Sequence, residues 1–412
     1  MEKIKVLHLI THMGFGGSQD NTLLTVKRHS RERYEVHLAS GQDFTDWEGR
    51  GRDCADAFFS IPDLCRSIQP KADMRALNHL TEFIRKQNYH IVHTHCAKAG
   101  TLGRIAARRA KVPIIIHTFH CFGWKVARTV YTRPWQPYTS FIKKHFYILI
   151  ERYAASLSDA LITVSELNKQ EAIEKKLAPS EKFTNIYSGI DFSRFEVDVD
   201  RIQKCRSMGV SPDRSIIGAI GRLSIQKAPL DFIAAAKIVL QQKPHVQFVM
   251  IGDGPLASEV QRAIGDEQRI KVLGYRDDVP EIMSVLDIFV LSSLWEGLGR
   301  ALTEAMFVGV PVAATAVDGV PQLVTHLQTG LLSPPEDSAQ LAKNIVWLLN
   351  NPLKAQRMTK NAKSRVVPAF GADRMVQQIE ALYARLLDEK VYGRSEYLQK
   401  QYVMKKNPLM RY

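Results

Sequence analysis

The stretch from Leu291 to Leu332, LSSLWEGLGRALTEAMFVGVPVAATAVDGVPQLVTHLQTGLL, restricts the fold more than any other part of the chain. Leu286 to Ser292 reads as a buried strand. Ala301 to Val308 has the alanine, leucine and methionine usage of a partly buried helix, and Val310 to Ala314 reads as a second strand. Strand, glycine loop, helix and strand make half of a parallel α/β crossover, and such units bind ligands in the loop at the strand's carboxyl end. Gly297 and Gly299 let the backbone approach a ligand there, and free N–H groups at the helix start attract an anion such as a phosphate. Glu296 and Glu304 flank the loop with seven residues between them. A carboxylate one or two turns into the helix is too close to serve a second anion, but it accepts hydrogen bonds from a ribose diol. The plainer reading is a pair of solvated surface glutamates; their spacing around a glycine loop favours function.

The remaining chain repeats this alternation. Lys5 to Ile10, Tyr34 to Ala39, Ile91 to His95, Pro113 to Thr118, Ala160 to Val164 and Phe183 to Tyr187 are short apolar runs. Helix-compatible segments such as Met74 to Gln87 and Ala97 to Ala110 lie between them, the pattern of a doubly wound sheet. A second set opens at Ile216 to Ile220 and continues through Val246 to Gly254 and Val272 to Tyr275, with a short helix over Asp277 to Leu286. At 412 residues the chain exceeds one compact core, so two domains and an appendage are expected. Glu48 to Arg52 reads as a mobile, glycine-rich loop, and Arg194 to Pro212 as a charged linker. Three helix-compatible runs follow Glu336 and reach about Glu389.

No apolar run reaches the roughly 18 residues of a membrane span. The start, MEKIKVLHLITHMG, runs into a glycine loop rather than a cleavage site and reads as a first strand, not a signal peptide. Cys54, Cys65, Cys96, Cys121 and Cys205 are odd in number and lack paired spacing, which suits a reducing cytosol. A net charge of +14 points to acidic partners and leaves nucleic acid and an anionic membrane face open. Phe122 to Ile150 mixes aromatics with Lys125, Arg128, Arg133, Lys143 and Lys144. Such a stretch anchors at a membrane interface, stacks on single-stranded nucleic acid, or is a core-packing helix with a flexible loop. No RNA-binding motif accompanies it. The tail from Lys390 to Tyr412 is basic, read either as disordered or as drawn to anionic lipid.

Three further groups carry chemistry. His93-Thr94-His95-Cys96 and His117-Thr118-Phe119-His120-Cys121 sit at strand ends, with His93 and His95 on one face. Their spacing matches no structural zinc pattern, and buried, satisfied histidines are the alternative. Arg222 and Lys227 lie on the loop after Ile216 to Ile220, placing two cations where a diphosphate leaving group would need them. Gly14-Phe15-Gly16-Gly17, followed by a helix from about Ser18 to Lys27, is by itself a weak glycine-loop signal.

Taken in order, these segments resemble the retaining glycosyltransferases of family 4. EGLGRALTEAMFVGVPVAA is similar to the family's E-x7-E motif, followed by DGVPQLV and QTGLL. Gly221-Arg222-Leu223 with Lys227 resembles its G-R-L-x-x-x-K-G loop, and VHTHCAKAGTLGRIAARRAKVPIIIHTFHCF its two histidine segments. Gly16 and Gly17 resemble the N-terminal GG-x-E loop, and Ser188-Gly189-Ile190-Asp191 the turn that closes the first domain. The sequence departs at Gln19, Cys121, Ser188, Ala228-Pro229, Asp318 and Gln322.

The resemblance implies the GT-B fold, two Rossmann-like domains facing each other across a cleft. Residues 1–194 would bind acceptor and 195–368 the nucleotide-sugar; 369–388 would cross back as a helix, and 389–412 form a basic tail. It implies retaining, metal-independent transfer of a sugar from a nucleotide-diphosphate sugar to a glycan or lipid-linked hydroxyl, in cell-envelope polysaccharide or lipopolysaccharide synthesis. No other cofactor is called for. Glu304 would hold the ribose, Glu296 the sugar hydroxyls, and Gly297, Leu298, Gly299 and Arg300 would offer backbone to the diphosphate. Arg222 and Lys227 would clamp that diphosphate, Gly16 and Gly17 would approach the transferring group, and His120 would position the sugar. The expected setting is cytoplasmic, with a peripheral place on the inner face of the plasma membrane left open, and nucleic acid is not an expected partner. Two rivals stay open: a GT-B-like nucleotide-sugar epimerase, and a non-catalytic binder of sugar-nucleotide or nucleic acid.

Overall fold

The computed structural model describes residues 3–14, 16–42, 47–126 and 136–392. Residues 127–135 of the aromatic, basic stretch and 393–412 of the tail lie outside the described residues, as does Phe15. Strands β1 (Ile4–Ile10), β2 (Tyr34–Gly41), β3 (Ala57–Ile61), β4 (Ile91–His95), β5 (Ile114–Phe119), β6 (Ala160–Thr163) and β7 (Phe183–Asn185) form one sheet in the order β3-β2-β1-β4-β5-β6-β7. Strands β8 (Ser215–Ile220), β9 (Val246–Ile251), β10 (Ile270–Val272), β11 (Ile288–Leu291), β12 (Val312–Thr315) and β13 (Leu331–Ser333) form a second, β10-β9-β8-β11-β12-β13. Every pairing is parallel. Helices cover both faces, so strands such as β4, β5 and β9 are buried along their whole length and read as apolar runs rather than alternations. This is the expected α/β architecture of two doubly wound domains.

Strand order reverses between β1 and β4 in the first sheet and between β8 and β11 in the second. Ligands bind outside the carboxyl ends of strands at such switch points. The loops following β1, β5, β8, β11 and β12 all converge between the two sheets, as the contacts below show.

The last long helix, Ala372–Leu387, belongs to the first domain by packing. Met375, Val376, Ile379, Leu382, Tyr383 and Leu386 recur at helical spacing and share a core with Val6, Ile10, Leu23 and Ile91. The Tyr383 hydroxyl reaches Nδ1 of His93 on β4 at 2.6 Å.

Three expectations are corrected. Glu48 to Arg52 is no loop but part of the helix Trp47–Cys54, which leads into β3, an edge strand the sequence reading did not include. A Cβ on Gly51 would sit 2.9 Å from the Phe58 ring, so this glycine admits close packing rather than mobility. Arg194 to Pro212 is ordered. Asp200 caps the helix Arg201–Ser207 by accepting from the N–H groups of Ile202 and Gln203, and Phe195, Cys205, Met208 and Val210 enter the core of the second domain. The tail assigned to 389–412 starts on folded residues, because Asp388–Tyr392 forms a wide helical turn and Lys390 pairs with Asp159. No helix among the described residues is long and apolar enough to cross a membrane.

Because the crossover helix completes a core that the first domain lacks without it, Ile379→Ala is expected to cost about 2–5 kcal/mol. Urea denaturation would show the lowered midpoint, with exposed Gln378→Ala as a control that stays within about 0.5 kcal/mol of the unsubstituted protein.

Candidate active site between the domains

Backbone contact sets the distance between the two domains. A Cβ on Gly297, in the loop after β11, would lie 2.0 Å from the carbonyl oxygen of His120, in the loop after β5. Gly319, after β12, is equally confined, since its Cβ would lie 2.4 Å from the Gly297 oxygen. Gly299 then takes φ 95°, the left-handed region open to glycine, and turns the chain into the helix Arg300–Val308. Leu298 between them is a core residue; only its backbone is available to a ligand.

Charged side chains cross the same gap. Arg300 leaves the start of its helix, reaches Asp20 on the helix Gly17–Arg28 and the carbonyl of Gly189, and donates to the Ser188 hydroxyl at 3.0 Å. Gly17 makes room for it, since a Cβ there would be 3.0 Å from the Arg300 Cδ. A Cβ on Gly16 would collide with the amide oxygen of Gln19, which turns inward to His12. Lys125, on the short helix Gly123–Val126 that follows β5, binds Asp318 across the gap and Glu171 at 2.7 Å within its own domain. Burial works against its charge, but the two carboxylates outweigh this and raise its pKa. Asp318 also accepts from the Glu296 N–H at 2.7 Å. Sequence reasoning noted Asp318 only as a departure, and missed Lys125 and Asp20 as partners, because they are far apart in the chain.

Glu296 and Lys227, proposed separately, form an ion pair; the Glu296 carboxylate is buried and also accepts from Ser293 at 2.7 Å. Arg222 stands exposed on the same loop as Lys227, its guanidinium with no hydrogen bond or ion pair among the described residues. Both bases line a small pocket with Gly221, Ser292 and Ser293 at the carboxyl ends of β8 and β11. Glu304 lies one turn into the helix Arg300–Val308, half-buried, and no protein group hydrogen-bonds its carboxylate among the described residues. Burial pushes its pKa above the ordinary glutamate value, opposed by the charge of Arg300. Two bases, an anion-attracting helix start and an unsatisfied carboxylate thus share one cleft, which fits a diphosphate joined to a diol.

His120 closes the cleft from the first domain. It is half-buried, and its Nε2 lies 3.1 Å from Nδ1 of His95. Burial, then the nearby charge of Arg300, pulls its pKa down to about 3, so the ring is neutral. His8, His93 and His95 bring ring nitrogens within 4.8 Å of one another. Both nitrogens of His93 are already engaged, by Tyr383 and by Thr118 at 2.7 Å, and those of His8 and His95 by other histidines. These are satisfied buried rings.

Fold and cleft together define a GT-B glycosyltransferase. The chain belongs to that class by sequence as well: the family described as "Glycosyl transferases group 1" matches residues 200–365, and the "Glycosyl transferase 4-like domain" matches residues 16–189. It is 30% identical over 397 residues to the Escherichia coli UDP-Gal:alpha-D-GlcNAc-diphosphoundecaprenol alpha-1,3-galactosyltransferase, covering 94% of this chain and 98% of that one. It is 24% identical to the capsular polysaccharide biosynthesis glycosyltransferase CapM of Staphylococcus aureus, covering 94% and 99%. Among solved structures, Anabaena HepE in complex with UDP-glucose superposes with a TM-score of 0.76 at 22% identity, over 93% of this chain and 100% of that one.

The raised pKa of Glu304 fixes the sign of a pH effect. A diol binds the ionised carboxylate, so affinity for a nucleotide-sugar is expected to weaken as pH falls, beginning above the ordinary glutamate range of about 4.3. Calorimetric titration of the donor between about pH 7.5 and about pH 5 measures this, and Glu304→Gln is expected to flatten the profile.

Proposed function

We propose that this chain is a retaining, metal-independent glycosyltransferase that moves a sugar from a UDP-sugar to a glycan carried on a lipid diphosphate, in the assembly of a cell-envelope polysaccharide. The observation that carries the reading is Glu304, a half-buried carboxylate without a protein hydrogen bond, which lies within the field of Lys227, itself in one pocket with Arg222. The relative acting on GlcNAc-diphosphoundecaprenol supports the acceptor class, and CapM supports the setting.

In this reading the ribose diol donates to Glu304 and the diphosphate lies against Arg222, Lys227 and the N–H groups at the start of the helix Arg300–Val308. As the anomeric C–O bond breaks, these groups stabilise the charge growing on the leaving diphosphate, the task a metal ion performs elsewhere. Lys227 shifts part of its pairing from Glu296 to the phosphate, which frees Glu296 to accept from sugar hydroxyls. Glu296 is already bound by Lys227 and Ser293, an arrangement that suits orientation rather than nucleophilic attack. The acceptor oxygen therefore bonds to the anomeric carbon on the face the diphosphate leaves, and its proton passes to a departing phosphate oxygen. Retention follows without a covalent intermediate. Closure of the cleft excludes water and limits hydrolysis.

The decisive experiment assays UDP-, GDP- and ADP-sugars with a polyprenyl-diphosphate-linked acceptor in the presence of EDTA. A UDP-sugar should be turned over at full rate, with retained anomeric configuration. Glu304→Ala and Lys227→Ala should each lower kcat/KM about 100- to 1,000-fold. An inverted product, loss of activity in EDTA, or epimerised donor with no transfer would overturn the reading.

An acceptor on a lipid has to be met at a membrane. On the helix Gln136–Ser156, Phe146, Leu149 and Tyr153 are exposed at helical spacing beside exposed Lys143, Lys144 and Arg152. An apolar stripe bordered by bases suits an anionic lipid surface. Sedimentation with phosphatidylglycerol vesicles should carry the protein down at low salt, and the double substitution Phe146→Ser with Leu149→Ser should weaken this at least tenfold. Equal binding by both proteins would remove this helix from the interface.

A further inference from the structure

Five side chains from separate parts of the chain form a single hydrogen-bonded row that ends at the cleft. Glu380 of the crossover helix accepts from Nδ1 of His29 at 3.0 Å and, at the same oxygen, from the Ser30 N–H at 2.8 Å. Nε2 of His29 meets Nε2 of His8 at 3.1 Å, and Nδ1 of His8 meets Nε2 of His95 at 3.0 Å. Nδ1 of His95 then meets Nε2 of His120 at 3.1 Å. His8, His29 and His95 are buried, and each spends both ring nitrogens on the row. Nδ1 of His120, the last nitrogen, has no hydrogen-bond partner among the described residues.

The polarity of the row follows from counting protons. A neutral imidazole has one N–H and one lone pair, and a carboxylate only accepts. Burial pulls the pKa of His29, His8 and His95 down, so all three are neutral at physiological pH. Burial opposes the charge of Glu380, but His29 and the Ser30 N–H more than offset it and keep the group ionised. Facing that carboxylate, His29 carries its proton on Nδ1 and offers a lone pair at Nε2. His8 must then be protonated at Nε2, His95 at Nε2 and His120 at Nε2. Any other assignment sets two lone pairs or two protons against each other in a buried site. His120 consequently reaches the cleft with a bare Nδ1.

We propose that Glu380, acting through His29, His8 and His95, holds His120 as the Nε2–H tautomer, so that its Nδ1 meets the substrates as a hydrogen-bond acceptor for a sugar hydroxyl. Glu380, His29, His8 and His95 are positioning residues in this scheme, and only His120 touches substrate. The last step rests on the transferase reading of the cleft; the tautomer assignment does not. Neighbouring His93 stands outside the row, with its nitrogens on Tyr383 and Thr118, and stacks on His95 with ring centroids 4.4 Å apart. It packs against the row without joining it.

The test reads tautomers directly. In protein labelled with 15N-histidine, long-range proton–nitrogen correlation spectra distinguish a protonated from a bare ring nitrogen, and His120→Asn identifies the His120 signals. The unsubstituted protein should show His120 protonated at Nε2 and bare at Nδ1. Glu380→Leu should turn His120 into a mixture of tautomers and lower kcat about 10- to 100-fold, the scale typical of lost outer-layer orientation. Its KM for the donor should change less than threefold. Glu380→Gln keeps an oxygen that accepts from His29 and Ser30, and should restore both the spectrum and most of the rate. Should Glu380→Leu fold poorly, His95→Phe interrupts the row beside His120 while keeping a ring in the stack, and the same loss of tautomer order is expected. A His120 protonated at Nδ1 in the unsubstituted protein, or one whose tautomer ignores both substitutions, would overturn the proposal. So would scrambled tautomers with unchanged kcat. Absence of any transfer by the unsubstituted protein, with the spectrum as described, would instead count against the transferase reading alone.

Discussion

The two domains meet through loops at the carboxyl ends of their strands, and the interaction on which the site depends is the near-contact of two backbones, Gly297 against the carbonyl of His120. No side chain intervenes, so the carboxyl ends of β5 and β11 approach more closely than side chains would allow. That approach lets Arg300 reach Asp20 and Lys125 reach Asp318, and it brings His120 within the field of Arg300. Distances between cleft groups on different domains are thus set by glycines. The charges follow the geometry and do not create it.

Electrostatically, the cleft divides into paired and unpaired groups. Lys125, Arg300 and Lys227 each hold a carboxylate, and these pairs fix loops in place at the modest net gain expected of half-buried ions. Arg222 and Glu304 have no such partner among the described residues. A buried or half-buried polar group without a partner is costly, and a ligand that supplies the complement relieves that cost. A molecule carrying both a diphosphate and a vicinal diol matches the two at once. Neither half alone does.

Much of this was legible in the sequence. The apolar runs at Ile91, Ile216 and Val246 became strands within a residue or so of their expected starts, because strands buried on both faces leave a strong local signal. The glycine loop with Glu296 and Glu304 was readable for the same reason: its chemistry lies within one short span. What stayed hidden was of two kinds. In Glu48 to Arg52 and Arg194 to Pro212, glycines and charges obscured short ordered elements whose few apolar residues, such as Cys205 and Met208, are buried against distant partners. Partnerships such as Lys125 with Asp318 or Glu380 with His29 join residues hundreds of positions apart and leave no local pattern. His93 and His95 were seen to share a strand face, yet only the parallel pairing of β1 with β4 sets His8 beside them.

The crossover helix has a consequence for how the molecule is made. A ribosome releases β1 to β7 first, but the core under β1 and β4 lacks Met375, Ile379 and Tyr383 until the chain has been extended almost to residue 390. The second domain, by contrast, draws its core, Val164 apart, from between about residue 190 and Phe370. It is able to fold while the first is still waiting, as though it were an insertion within a split domain. Assembly order then need not follow chain order, and the apolar surface that the nascent first domain leaves open until this helix arrives is the face a chaperone would have to cover.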